Sequence, residues 1–383
     1  MRGPVGLHRP GEKPGGSDTM RAAILHRQGA PLTVEEVDLD PPRAGEVLVR
    51  LVASGVCHSC LHAADGSWSG ILTPIVLGDE GAGVVEAVGP GVETVRPGDH
   101  VILSWAPACG RCRFCVQGRP VLCERKPPRF HLADGTTRLR WRGQPVYHYG
   151  HVATFATHSV VPASSAIPIP PDIPLDRAAL IGCSVMTGVG AVLNTAQVPA
   201  GASMAVFGVG GIGLNVVQGG ALASAWPIIG VDIHDHKLAY ARQFGLTHTV
   251  NARQTDPVAA IQEITQGRGA DFTFVAVGDT GAVAQAIAAL APGGTCVLIG
   301  VPPSGQTVPL DPAFLVTRER RVIGSSYGSA RTWLDFPRLL DLYRAGRLKL
   351  DELITHRYRL EEVNEAFRAL AAGEVARAIL VFA

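Results

Sequence analysis

Ala205-Val206-Phe207-Gly208-Val209-Gly210-Gly211-Ile212-Gly213-Leu214 is an apolar run that passes directly into a G-x-G-x-x-G turn. A helix-forming apolar stretch follows, and then Pro227-Ile228-Ile229-Gly230-Val231-Asp232, a second strand pattern that ends in an acid 19 residues beyond Gly213. Alone, three spaced glycines say little. In a strand, turn, helix, strand, acid order they form a dinucleotide fingerprint. The glycines Gly208, Gly210, Gly211 and Gly213 let backbone approach a pyrophosphate at the N-terminus of the helix. Asp232 accepts hydrogen bonds from a ribose diol and repels a 2′-phosphate, and Ile233 follows it where an arginine would favour NADP. The expected cofactor is NAD.

Working outward, strand candidates 271–277 and 295–301 alternate with helical stretches such as 281–290, which makes an α/β, doubly wound parallel sheet. Upstream, from Met20 to about Val160, the texture changes to short β-type runs broken by Gly and Pro. That pattern predicts a compact barrel-like β unit. The last 57 residues carry amphipathic helical segments and a final β-type run, 378–382, expected to return to the first unit. The expected division is therefore a disordered tail at 1–19, a catalytic unit at 20–184 with 327–383, and a cofactor unit at 185–326.

Two cysteine clusters carry metal chemistry. Cys109-x2-Cys112-x2-Cys115-x7-Cys123 sets four thiols in fifteen residues, enough to close a tetrahedral zinc site with no open position. Earlier, Gly55-Val56-Cys57-His58-Ser59-Cys60-Leu61-His62 packs thiols, imidazoles and a hydroxyl together. There a thiolate can bind zinc, and Ser59 with His62 can carry a proton to solvent. Gly78-Asp79-Glu80-Gly81 and Gly182-Cys183 follow. Six of eight cysteines in such clusters suit a reducing cytoplasm better than a disulfide framework. The chain has 383 residues and a formal net charge of +1, which offers no basic excess for nucleic acid or membrane lipid. No apolar run reaches the roughly 18 residues of a spanning helix.

Together these motifs resemble the zinc-containing alcohol dehydrogenases of the medium-chain dehydrogenase/reductase superfamily, from Met20 to Ala383 and in the same order. The resemblance implies a GroES-like β-barrel catalytic domain joined to a Rossmann domain. It implies that Cys57 and Cys183 are catalytic-zinc thiolates, Ser59 and His62 the proton relay, and Glu80 a carboxylate behind the metal. It sets His58 and Arg377 against the cofactor pyrophosphate, Asp232 and Lys237 at the adenosine ribose, and Thr187, Ile212 and Ile299 around the nicotinamide. Trp68, Trp105 and Tyr149 fall where the family lines its substrate pocket. The segment from Leu132 to Tyr149 looks like the form found in animal and glutathione-linked members, commonly dimers; a tetramer is the alternative.

Two departures stand out. Asp79 occupies the position of the family's third zinc ligand, a His, and Cys60 that of the Asp which orients it. Two thiolates and a carboxylate make the site more anionic than the family's, hence a weaker Lewis acid. The expected ligands remain Cys57, Asp79 and Cys183, with Cys60 or Glu80 as the alternative donor. Against this stand a lesser reading of Asp79 as a solvent-facing turn or N-cap carboxylate, and an equally plausible reading of Cys60 as a small core residue or a redox-sensitive thiol. The expected activity is NAD-dependent interconversion of alcohols with aldehydes or ketones, with two zinc ions per chain. The competing readings are a carbonyl or enone reductase without catalytic zinc, and a non-catalytic NAD-binding redox sensor.

Overall fold

The computed structural model describes residues 20–382; the tail expected at 1–19 lies outside the described residues. The described residues form three sheets. The cofactor sheet has six parallel strands in the spatial order His248–Asn251, Ile228–Asp232, Met204–Phe207, Ala270–Val275, Leu290–Leu298, Arg321–Gly324. The order reverses between Met204–Phe207 and Ala270–Val275, and the glycine turn leaves the sheet at that crevice, where such sheets take ligands. All four residues of Met204–Phe207 are buried, as a strand covered on both faces requires. The helix Gly211–Leu222 lies against it, and close approach depends on Gly213: a Cβ there would overlap the carbonyl oxygen of Gly208.

The other two sheets are mainly antiparallel and form the barrel-like part. Its long strand Glu46–Val56 is flanked by Glu80–Val88 and by Arg377–Val381, which pairs antiparallel with it from Ala378 opposite Val56. The last strand of the chain is thus wedged beside the segment that leads into Cys57. Cofactor sheet and barrel are joined by a shared buried core that includes Ile102, Ile181, Met186, Val206 and Tyr327. Among the described residues, no single helix is long and apolar enough to cross a membrane.

One polar cluster pins the loop before Leu139–Trp141. Arg138 is fully buried and pairs with Glu46 at 2.6 Å and Asp134 at 2.8 Å, while Arg43 reaches Asp134 at 2.7 Å. Partial burial opposes ionisation of Asp134, but Thr136 and Arg138 hold its carboxyl well below the usual range. A depressed carboxyl contributes stability that is complete above its unfolded pKa, about 4, and disappears as pH falls toward its folded value. Asp134→Asn is therefore expected to melt at a lower temperature than the parent at pH 7. The gap should narrow steadily below about pH 4. Differential scanning calorimetry across pH checks both signs.

Candidate active site

Three elements end at one buried point. The strand Glu46–Val56 delivers Cys57, which caps the helix His58–Asp65 by accepting from the N–H groups of Cys60 and Leu61. Asp79 stands immediately before the strand Glu80–Val88, and Cys183 immediately before the helix Ser184–Gly190. One ligand atom from each of Cys57, Asp79 and Cys183 lies within 4.8 Å of the others, and all three residues are buried. Asp79 is only 6% exposed, which removes the solvent-facing turn reading.

Ser59 Oγ donates to Asp79 Oδ2 at 2.6 Å, and the Cys60 thiol donates to Oδ1 at 3.7 Å. Cys60 lies outside the three-residue cluster and orients the carboxylate by this contact. Glu80 is equally committed elsewhere. Its Oε1 accepts from the Ser184 N–H at 2.8 Å and hydroxyl at 2.6 Å, and its Oε2 pairs with Arg377. Neither alternative donor is therefore free to approach an ion without losing these partners.

The electrostatics of the cluster call for a cation. A hydrogen bond from Cys183 brings the Cys57 thiol well below its ordinary range, overcoming burial, while the same contact pushes Cys183 up. Burial and the Cys57 charge raise Asp79 to about 7, and burial raises Cys60. Three buried acids can ionise together only around a positive ion. Two thiolates and a carboxylate suit the three protein ligands of an open zinc site. In the other lobe the sulfurs of Cys109, Cys112, Cys115 and Cys123 also fall within 4.8 Å of one another. Backbone N–H groups of Cys109, Cys112 and Arg125 donate to them at 3.3 to 3.4 Å, as thiolates demand.

The cofactor cradle lies beside this point. A Cβ on Gly210 would meet no protein atom, so open space lies where backbone would approach a pyrophosphate. Asp232 is fixed at its strand end by the N–H groups of Val209 and His234, each at 3.0 Å. Arg377 is 2% exposed, packs against Gly211 and leaves Nε unpaired. Lys237 reaches toward Gly373, His58 is exposed, and the Thr187 N–H donates to the Cys183 carbonyl. Ile212 packs on the shared core with Ile299.

His62 sits one turn beyond Ser59, with its ring 5.5 Å from Trp68 and its buried Nδ1 without a hydrogen bond. Tyr149 donates to the Ser59 carbonyl at 3.1 Å, and Trp105 packs 4.4 Å from Tyr327. Two residues here went unread in the sequence. Ser184 was hidden because its partner Glu80 is 104 residues away, and Tyr327 because its partners lie in two other segments. No contiguous pattern marks either one.

Residues 43–171 match a family described as alcohol dehydrogenase GroES-like domain, and residues 211–345 one described as zinc-binding dehydrogenase. An alcohol dehydrogenase class-3 of Cereibacter sphaeroides is 42% identical over 374 residues, covering 94% of this chain and 99% of the relative. Among solved structures, an alcohol dehydrogenase zinc-binding domain protein from Burkholderia ambifaria superposes with TM-score 0.90 at 36% identity, covering 95% of this chain and 99% of that one. A benzyl alcohol dehydrogenase from Acinetobacter calcoaceticus does so with TM-score 0.89 at 31% identity, with the same coverage.

Proposed function

Taking as premise that the chain belongs to the zinc-containing alcohol dehydrogenases of the medium-chain dehydrogenase/reductase superfamily, we propose that this alcohol oxidoreductase uses NAD and an Asp-ligated metal site to oxidise primary, aromatic alcohols. The observation that carries the reading is the buried convergence of Cys57, Asp79 and Cys183 within 4.8 Å. Zinc held there supplies Lewis acidity that makes a hydroxyl easier to deprotonate, and the nicotinamide supplies a hydride acceptor.

The chain's own residues do the rest. Cys57, Asp79 and Cys183 fix the place of the reacting oxygen, and Ser59 with Cys60 fix the orientation of Asp79. Ser59 Oγ, 2.6 Å from Asp79 Oδ2, holds a proton there and can pass it on. His62, three residues on along the same helical face, has a side chain 24% exposed and delivers that proton to water. Trp68 lies beside His62 and Tyr149 donates to the Ser59 carbonyl; with Trp105 they would wall an aromatic substrate pocket, which suits a flat ring better than a bulky polar conjugate. Arg377 ties Glu80 to the glycine turn, so the cradle and the metal shell share one buried cation. Asp232, with both oxygens already anchored by backbone, accepts from a ribose diol and disfavours a phosphate there.

Elemental analysis of chain purified without chelator, paired with benzyl alcohol oxidation under NAD and NADP, tests this. Two zinc ions per chain, turnover, and a kcat/KM at least about tenfold higher with NAD are expected. One zinc ion and no oxidation of any alcohol would overturn it and leave the reductase or sensor readings.

A further inference from the structure

We propose that Tyr327 is a positioning residue for the reaction: its hydroxyl sets the peptide that carries Cys183, and its ring sets the Trp105 wall. The inference rests on the reading of Cys183 and Trp105 as parts of the active site, and extends it to a residue from the cofactor side.

Tyr327 follows the edge strand Arg321–Gly324 and is 3% exposed. Its backbone has φ +54°, and its neighbours Gly328 and Ser329 follow at +61° and +52°. A bulky aromatic residue in the left-handed region is a genuine outlier, and such strain persists where surrounding structure over-determines it. Here the surroundings are specific. Ser329 and Ser325 hydroxyls both meet Thr195 Oγ1, at 2.8 and 2.9 Å, and Asn194 donates to the Gly328 carbonyl. The turn is thereby clamped to the helical segment that Cys183 begins. Gly328 and Gly190 approach so closely that a Cβ on either would overlap the other's backbone.

From that clamp the Tyr327 side chain points across to the barrel side. Its hydroxyl donates to the carbonyl of Gly182 and lies 3.4 Å from Ser104 Oγ, while its ring packs against Trp105 at a tilt of 34°. The Gly182 carbonyl belongs to the peptide whose other end is the Cys183 nitrogen. Cys183 itself is neither helical nor extended, at φ −144° and ψ −73°. Holding that peptide plane fixes the φ of Cys183 and, through it, where the sulfur sits relative to Cys57 and Asp79. Without the hydroxyl, the Gly182 carbonyl would be a buried acceptor free to turn. One side chain therefore registers a metal donor and a pocket wall against the cofactor sheet.

Tyr327→Phe deletes the hydrogen bond and keeps the ring on Trp105; Tyr327→Leu removes both. In protein as purified, the rate at which iodoacetamide labels Cys183 relative to Cys57 is read by peptide mass spectrometry, with kcat and KM for benzyl alcohol and the melting temperature measured in parallel. Tyr327→Phe is expected to raise the Cys183-to-Cys57 ratio about tenfold and to lower kcat with KM unchanged. Tyr327→Leu should in addition raise KM. An unchanged labelling ratio in Tyr327→Phe overturns the proposal, as does an equal rise at both cysteines with a lower melting temperature, which is general loosening. A parent chain with one zinc ion and no alcohol turnover counts against the metal reading alone, because the labelling ratio still decides the role of Tyr327.

Discussion

Asp79→Ala should hold one zinc ion per chain in place of two and lose alcohol oxidation by more than about a hundredfold. The magnitude follows from comparison with milder changes. Removing a group that merely orients a ligand typically costs about 10–100-fold in metal affinity or activity, and removing a ligand costs more. Among the described residues, Asp79 is one of three candidate donors that meet within 4.8 Å of one another, with Cys57 and Cys183. Its loss leaves two buried thiols that oppose each other's ionisation, one lowered and the other raised by the same contact. It also orphans the Ser59 hydroxyl and the Cys60 thiol, both of which donate to it. Elemental analysis and steady-state kinetics read the two effects separately. Two zinc ions retained in Asp79→Ala would show that the carboxylate is not a donor. The single exchange Asp79→His is expected to recover less than Asp79→His with Cys60→Asp, because an imidazole in that place finds a thiol where it needs a carboxylate to orient it.

The parts of this site that were legible in sequence are those whose chemistry is local. The glycine turn, Asp232 and the four-cysteine lobe each declare themselves within a few residues, since a pyrophosphate cradle or a tetrahedral cage is built from one short segment. Asp79 was visible only as a departure from a resemblance, and its burial removes the solvent-facing turn reading. What could not be read was pairing at long range. Glu80 meets Arg377 across 297 positions, and no periodicity announces it. Element ends also shifted. The strand Leu290–Leu298 starts five residues before the expected 295 and carries Gly293 and Gly294 inside it. The helix Thr332–Arg344 contains Pro337, a residue that sequence reading takes as a helix breaker. Lacking an N–H, the proline leaves the Trp333 carbonyl without its usual i+4 donor.

That long-range pair carries the other large effect. Glu80→Ala is expected to destabilise the chain by about 3–5 kcal/mol, lowering the melting temperature by about 4–6 °C. Glu80 is fully buried and Arg377 only 2% exposed, so removing the carboxylate strands a guanidinium in the interior. It also removes the acceptor of both the Ser184 N–H and its hydroxyl, at the first turn of the helix that Cys183 caps. Arg377→Met should cost a similar amount for the converse reason. It should in addition raise the KM for NAD, since Arg377 packs on Gly211 of the pyrophosphate turn. Glu80→Gln separates charge from shape: it keeps an acceptor for Ser184 but leaves Arg377 without its counter-charge. The double variant Glu80→Gln with Arg377→Met should lose clearly less than the sum of the two singles, because each single strands a partner that the double removes. A strictly additive cycle would mean that Arg377 is balanced by something other than Glu80. The buried cation would then have to be explained by the anionic metal shell itself, which is the other negative group within its reach.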